Sequence, residues 1–411
     1  MNPDAARLWP HPRWMLAALL AGLGTLGPFA IDTYLPAFSG IAATLQATPA
    51  QMQQTLSAYL FGFAALNLFH GAISDSLGRR PVVLVGLVLF TVASVGCAMS
   101  DTIGDLIIWR TIQGMTAGAG SVVSRAIIRD LYPVDQAQKL MSLVTIFFGI
   151  APAIAPLMGG WLFVLAGWHS IFWLLVGIGT LLLLLSARFL PESLHVSQRQ
   201  PFALMPLLRG YRQLAGNPRF VALVMASGIP FNGSFLYVLS APAFLGEHLG
   251  LQPQQFFWFF LLTIAGIMAG SWTSGRVAGK IPPKQQIRWG FSVMLLVSVI
   301  NVAANLMFTA HAAWALLPIA GFAFGWALMV PVITLLVLDL YPERRGLSSS
   351  LQAVIGSTAN GLVAGAIAPL VMHSTRALAI ASLLFLAIGL AAWLFLHRRW
   401  PEIGRAISAA A

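Results

Sequence analysis

Twelve apolar stretches of about twenty residues follow one another along the chain, separated by short polar segments. They lie at 14–38, 50–72, 81–100, 104–128, 138–164, 168–190, 220–245, 254–278, 287–309, 312–337, 347–372 and 377–397. Each is long enough to cross a bilayer as an α-helix. Polar residues within the stretches recur at helical spacing. In the fourth, Arg110, Gln113, Ala117, Ser121 and Arg125 share one polar or small face, with Gly114, Gly118 and Gly120 thinning the helix beside it. Ser298, Asn301 and Asn305 form such a face in the ninth stretch, as do Ser349, Gln352, Gly356 and Asn360 in the eleventh. In lipid these faces turn toward neighbouring helices or a water-filled cavity.

Composition supports a polytopic membrane protein. The chain is 58% hydrophobic and 9% charged, too apolar for a soluble domain of 411 residues to cover. Its net charge of +11 would suit nucleic acid if it were spread over one surface, but it is not. With both termini in the cytoplasm, every Lys and Arg faces that side except Arg376, in an outer loop, and Arg110, within a span. Asp101, Asp105 and Glu247 lie outside. This positive-inside pattern fixes the orientation, and the anionic leaflet is partner enough for the basic loops. No nucleic-acid partner is expected. Arg7 and Arg13 precede the first apolar run as in a signal peptide, but the run is long and carries Asp32, so an uncleaved first helix is expected. The single Cys97 allows no intrachain disulfide.

Two short strings recur half a chain apart. Asp130-Leu131-Tyr132-Pro133 follows the fourth span and Asp339-Leu340-Tyr341-Pro342 the tenth. Ala153-Ile154-Ala155-Pro156 in the fifth is echoed by Ala366-Ile367-Ala368-Pro369 in the eleventh. Six is even, so the halves share one orientation and form parallel repeats. Such repeats place a substrate site between the halves and give alternating access by rocking. The expected division is a six-helix bundle over 1–190, a cytoplasmic linker over 191–219 and a second six-helix bundle with a short tail over 220–411. The linker carries Arg199, Arg209, Arg212 and Arg219, with Pro201 and Pro206 breaking its regularity.

Asp32 is the one carboxylate deep within a span, where an ionised acid costs roughly 2.5–3.5 kcal/mol. It reads either as a proton or cation carrier or as a structural acid held by an arginine. Arg110 lies about as far inside the outer end of the fourth span, ~9 Å, as Asp32 does in the first. At one level the two can pair, either as a proton switch whose spacing changes between conformations or as a static link between helices, and the sequence does not decide whether they touch. The fifth span contains Gly149, Pro152, Pro156, Gly159 and Gly160, which predict a bent, thin helix able to pack closely and reseal. After the second span, Asp75, Gly78, Arg79 and Arg80 precede Pro81. Gly78 permits a tight turn, and Asp75 can reach an arginine or a helix N-terminus across the cytoplasmic face, as a conformational latch.

These segments resemble the Major Facilitator Superfamily. The 71–81 loop is similar to its signature between helices 2 and 3, although Ser76 stands where that signature usually has a basic residue. Arg110-Thr111-Ile112-Gln113-Gly114 resembles its fourth-helix motif, and the glycine–proline run of the fifth span its antiporter motif. Ile31-Asp32-Thr33-Tyr34-Leu35-Pro36-Ala37 is similar to the first-helix signature of the Bcr/CflA bicyclomycin and chloramphenicol resistance group. Arg129-Asp130-Leu131-Tyr132-Pro133 and Pro191-Glu192-Ser193 fit that group too. The resemblance implies a monomer in the bacterial inner membrane that exports small amphipathic compounds in exchange for protons, with no cofactor. Export of an endogenous metabolite such as an amino acid or sugar derivative is the alternative.

For substrate, the second half offers aromatic surface at Phe231, Phe235 and Tyr237 in the seventh span and Trp326 in the tenth. Phe256 and Phe257 in the eighth are expected in the interfacial belt. Pro230 and Asn232-Gly233 predict an irregular seventh helix. Tyr34, Gln113, Asn232, Tyr237, Trp326, Gln352 and Asn360 are the candidate cavity residues. No paired catalytic acids, metal-ligand cluster or phosphate loop stands out, so neither an enzyme nor an ATP-driven pump is expected. Gly275-Arg276-Val277-Ala278-Gly279-Lys280 has the wrong spacing for a phosphate loop. Composition leaves a channel open; parallel repeats and one buried acid favour a carrier.

Overall fold

The computed structural model describes residues 9–132, 144, 152–341 and 345–400. It bears out the all-α membrane architecture. Ten helices among the described residues are long and apolar enough to cross a membrane. The chain runs through α1 (Arg13–Asp32), α2 (Pro49–Leu77), α3 (Arg79–Ala98), α4 (Ile103–Leu131), α5 (Pro152–Ala166) and α6 (His169–Phe189). A linker helix, Leu204–Ala215, leads to α7 (Pro218–Leu239), α8 (Phe257–Val277), α9 (Pro283–Met307), α10 (Ala312–Asp339), α11 (Arg345–Leu362) and α12 (Thr375–Arg399). Two compact units result, Met1–Ala203 with Pro253–Phe257, and Leu204–Gln252 with Trp258–Ala411. Apolar side chains stand outward along the helices, such as Val85, Val88 and Val92 on α3 and Leu296, Val299 and Ile300 on α9. That is the surface a bilayer solvates.

In the first unit, glycine sets the spacing. A Cβ built at Gly114 of α4 would fall on the Tyr59 carbonyl of α2, and one at Gly62 of α2 on the Thr111 carbonyl of α4. Such backbone contact is how membrane helices gain dispersion energy without a hydrophobic drive between them. α2 starts from a capping box in which Thr48 and Gln51 satisfy each other's backbone N–H, with Pro49 at the first helical position.

The first span departs from expectation. It is broken at Asp32, turns through a 3-10 segment at Leu35–Ala37, and resumes at Phe38–Thr44. Pro36 has no N–H to give the Asp32 carbonyl, and its ring crowds that turn. The seventh departs the other way. α7 runs unbroken through Pro230 to Leu239, and the irregular backbone comes later, as a π-helical turn at Pro242–His248. Pro230 is seated where α12 has Gly389, whose Cβ would strike the proline ring.

Candidate functional site

The break in α1 builds the centre of the first unit. Past it, the Tyr34 N–H donates to the Ile31 carbonyl, not to the Ala30 carbonyl one residue earlier. The freed Ala30 oxygen accepts from Arg110 Nη1 at 3.2 Å. The same nitrogen donates to Gln113 Oε1 at 2.6 Å. The guanidinium lies between two rings, its Cζ 4.6 Å from the centroid of Tyr34 and 4.3 Å from that of Tyr59. Each cation–π contact contributes on the order of 2 kcal/mol when desolvated, and Arg110 is 0% exposed. The Tyr34 hydroxyl pairs with Thr55 Oγ1 at 2.8 Å, and Tyr59 donates to the Gly27 carbonyl at 2.9 Å. Gln113 Nε2 donates to Ser94 Oγ at 2.8 Å. One stack thus ties α1, α2, α3 and α4 around a buried cation.

Asp32 stands at the C-terminal end of α1 beside this stack, 7% exposed. Its carboxylate has no hydrogen-bond or ion-pair partner among the described residues. Asp32 and Arg110, which the sequence allows to pair, form no ion pair here. The arginine is turned instead to the carbonyl that the helix break exposes. Its Nε and Nη2 have no hydrogen-bond partner among the described residues. Guanidinium and acid make no ion pair. Sequence reading missed Tyr59, an aromatic residue in an apolar helix with nothing local to set it apart.

α5 packs on the break itself. A Cβ at Gly159 would fall on the Thr33 carbonyl, one residue past Asp32. Pro156 and Gly160 are buried and Pro152 half-buried, while Gly149 lies outside the described residues. The glycine–proline helix thus brings a thin face to the segment that carries the acid.

At the cytoplasmic end, the 74–80 segment makes its contacts within the first unit. Arg79 pairs with Asp75 at 2.5 Å and with Asp130 at 3.0 Å, and donates to Ser74 Oγ at 2.7 Å. Ser193 Oγ donates to Asp130 at 2.9 Å. Glu192 caps α3, with Oε1 accepting from the Arg79 N–H at 3.0 Å and Oε2 from the Arg80 N–H at 3.3 Å. Gly78 has φ 105°, a conformation L side chains rarely adopt, and an added Cβ would lie 2.5 Å from Glu192 Oε2. Arg80 Nη2 reaches the Ala187 carbonyl at 2.6 Å. Glu192 was legible only as part of Pro191-Glu192-Ser193; its partner is an unsatisfied helix terminus across the bundle. Glu192→Gln removes the charge that complements the α3 N-terminus. It should lower stability by about 1 kcal/mol, read as a lower melting temperature in detergent. Melting unchanged from wild type would show that the charge on Glu192 contributes nothing to the cap.

The predicted residues of the second unit fall in two places. Trp326 of α10 and Gln352 of α11 converge on Ser227 of α7. The indole Nε1 donates to the Ser227 carbonyl at 2.8 Å, and Gln352 Nε2 to Ser227 Oγ at 3.4 Å. Phe231 joins them, its centroid 4.9 Å from Trp326 and 5.2 Å from a stacked Phe235. Residues 227, 231 and 235 are spaced by four, so one face of α7 carries this aromatic platform. Asn232 and Tyr237 are elsewhere. Asn232 is buried and donates to the Gly228 carbonyl at 3.2 Å, and buried Tyr237 accepts from Asn301 Nδ2 at 2.8 Å. Asn360 is half-buried, its Oδ1 without a partner among the described residues. No group of three or more His, Cys, Asp or Glu among the described residues could hold a metal ion.

A profile of the Major Facilitator Superfamily matches residues 14–369. The chain is 32% identical to an uncharacterized MFS-type transporter, YdgK, of Bacillus subtilis, over 96% of this chain and 97% of that one. It is 30% identical to a bicyclomycin resistance protein homolog of Haemophilus influenzae, over 67% of this chain and 69% of the other. Identity to the multidrug resistance protein D of Escherichia coli is 29%, over 95% and 98%. The fold matches a crystal structure of a bacterial homolog of the human lysosomal transporter Spinster with a TM-score of 0.73, covering 98% of this chain and 99% of that one. At 14% identity this is a likeness of fold. With these matches over most of its length, the chain belongs to the Major Facilitator Superfamily, in its Bcr/CflA multidrug branch.

Proposed function

We propose that this transporter exports small amphipathic compounds in exchange for protons by alternating access, as a monomer in the bacterial cytoplasmic membrane. The reading is carried by Asp32, a buried acid at a helix break with no partner among the described residues to offset its charge. A proton neutralises such a group at least cost. Arg110, held one turn away by Gln113 and the tyrosines, supplies the positive field that favours release when the surroundings shift. Gly159 on the Thr33 backbone gives α5 the means to move the break. Resistance proteins among the relatives support a drug-like cargo. Asp75, Gly78, Arg79 and Arg80, with Asp130 and Glu192, act as the cytoplasmic clasp of the first unit.

Substrate meets the platform of Phe231, Trp326 and Gln352, a flat aromatic surface beside one amide. Trp326→Ala should raise the apparent KM for a planar aromatic cation about tenfold and leave a non-aromatic substrate nearly unchanged. Equal losses for both would remove the platform from recognition. The exchange itself is tested in proteoliposomes loaded with a pH-sensitive dye, under an imposed proton gradient, against a panel of amphipathic antibiotics. Drug-dependent proton release establishes antiport; drug movement without proton release rejects it.

A further inference from the structure

The second unit encloses a small polar cavity away from the aromatic platform. Its volume is about 10 Å³, on the order of one water molecule. Ser234 and Tyr237 of α7, Ser298 and Asn301 of α9, Phe322 of α10 and Ser382 of α12 line it. The four hydroxyl residues are each more than nine-tenths buried. Serines and threonines in helices commonly turn back onto the carbonyl three or four residues earlier, as Ser227 and Thr263 do. Ser298 does not, and its Oγ has no partner among the described residues. The Tyr237 hydroxyl accepts from Asn301, so its own proton is left to donate. Ser234 spends its proton on the Phe231 carbonyl and keeps oxygen lone pairs.

We infer that this cavity is a binding site for a single water molecule joining α7, α9 and α12. The water accepts from Tyr237 and donates to or accepts from Ser298, with Ser234 and Ser382 as further partners. That gives it the two to four bonds an internal water needs. Left dry, a buried hydroxyl would have given up its hydrogen bonds to water with nothing in return. A bare cation fits less well, because no charged side chain lines the site to offset its lost hydration. An apolar ligand would leave the hydroxyls unpaired. The water gives the proton of the buried Tyr237 hydroxyl an acceptor beyond its bond from Asn301. It is a joint that holds α7 against α9.

Thermal melting of the detergent-purified protein tests this by sign. If Ser298 is hydrated, Ser298→Ala removes a water partner and the melting temperature falls by about 2–4 °C. If the hydroxyl is dry, the same substitution removes an unsatisfied group and the melting temperature rises, which overturns the proposal. Ser298 and Tyr237 make no direct hydrogen bond, so non-additive shifts in Ser298→Ala, Tyr237→Phe and the double variant report a molecule between them. Additive shifts count against it. Stabilisation of the wild type by sodium chloride over choline chloride would assign a cation instead. Should a variant fail to fold, a wild-type structure at a resolution that shows ordered water decides directly, by density at this site or none.

Discussion

Asp32→Asn is expected to reduce gradient-driven export to the passive background while leaving the protein folded. Asparagine keeps the volume and neutrality of the protonated acid but can neither release nor take up a proton. Since the Asp32 carboxylate makes no ion pair among the described residues, no cation loses its partner. The penalty of several kcal/mol that follows when a buried pair is broken does not arise. Melting should stay at or slightly above the wild-type value, because a costly buried acid is removed. Downhill drug movement should persist, now without proton release, because alternating access needs no charge at position 32 once the site is permanently neutral. Proteoliposomes carrying the variant separate these outcomes. Export against the drug gradient by Asp32→Asn would mean that the proton travels by another group. Loss of both export and melting transition would mean that Asp32 holds the fold.

The span pattern, the positive-inside charge and the order of motifs were legible because they depend on local composition. What they could not show was where the backbone stops being helical. Pro28 and Pro36 flank Asp32 in sequence, yet only Pro36 breaks the helix; Pro28 sits within α1. The break decides the chemistry, since it frees the Ala30 carbonyl that occupies Arg110. Position along the spans suggested one level for Asp32 and Arg110, but depth says nothing about what else competes for a guanidinium. Tyr59 and Glu192 were invisible as partners for the same reason. Each acts on backbone or charge that another helix presents, and one chain carries no mark of that pairing. In the second unit, helical phase was the missing quantity. Residues 227, 231 and 235 share the face that meets Trp326, whereas 232 and 237 turn toward the interior of the unit.

Gly114→Ala should cost about 2–3 kcal/mol of stability and most of the transport. A Cβ at that position would overlap the Tyr59 carbonyl oxygen, and Tyr59 Cα is 2.9 Å away. These are backbone atoms in the middle of a 29-residue helix, so no rotamer change relieves the overlap and α2 must move as a body. Moving it draws the Tyr59 ring off the guanidinium and its hydroxyl off the Gly27 carbonyl. Gly118, one turn on, provides the control. There the nearest atom to a new Cβ is Asn67 Oδ1 at 2.6 Å, the end of a side chain that can rotate. Gly118→Ala should therefore cost well under half as much, on the order of 1 kcal/mol or less. Melting temperature and drug-dependent proton release should fall together for Gly114→Ala and hardly change for Gly118→Ala. Equal behaviour of the two variants would show that α2 and α4 yield as freely at backbone contacts as at side-chain ones. A seat for Arg110 that soft could not hold it apart from Asp32, and the separation of the two charges would then need another cause.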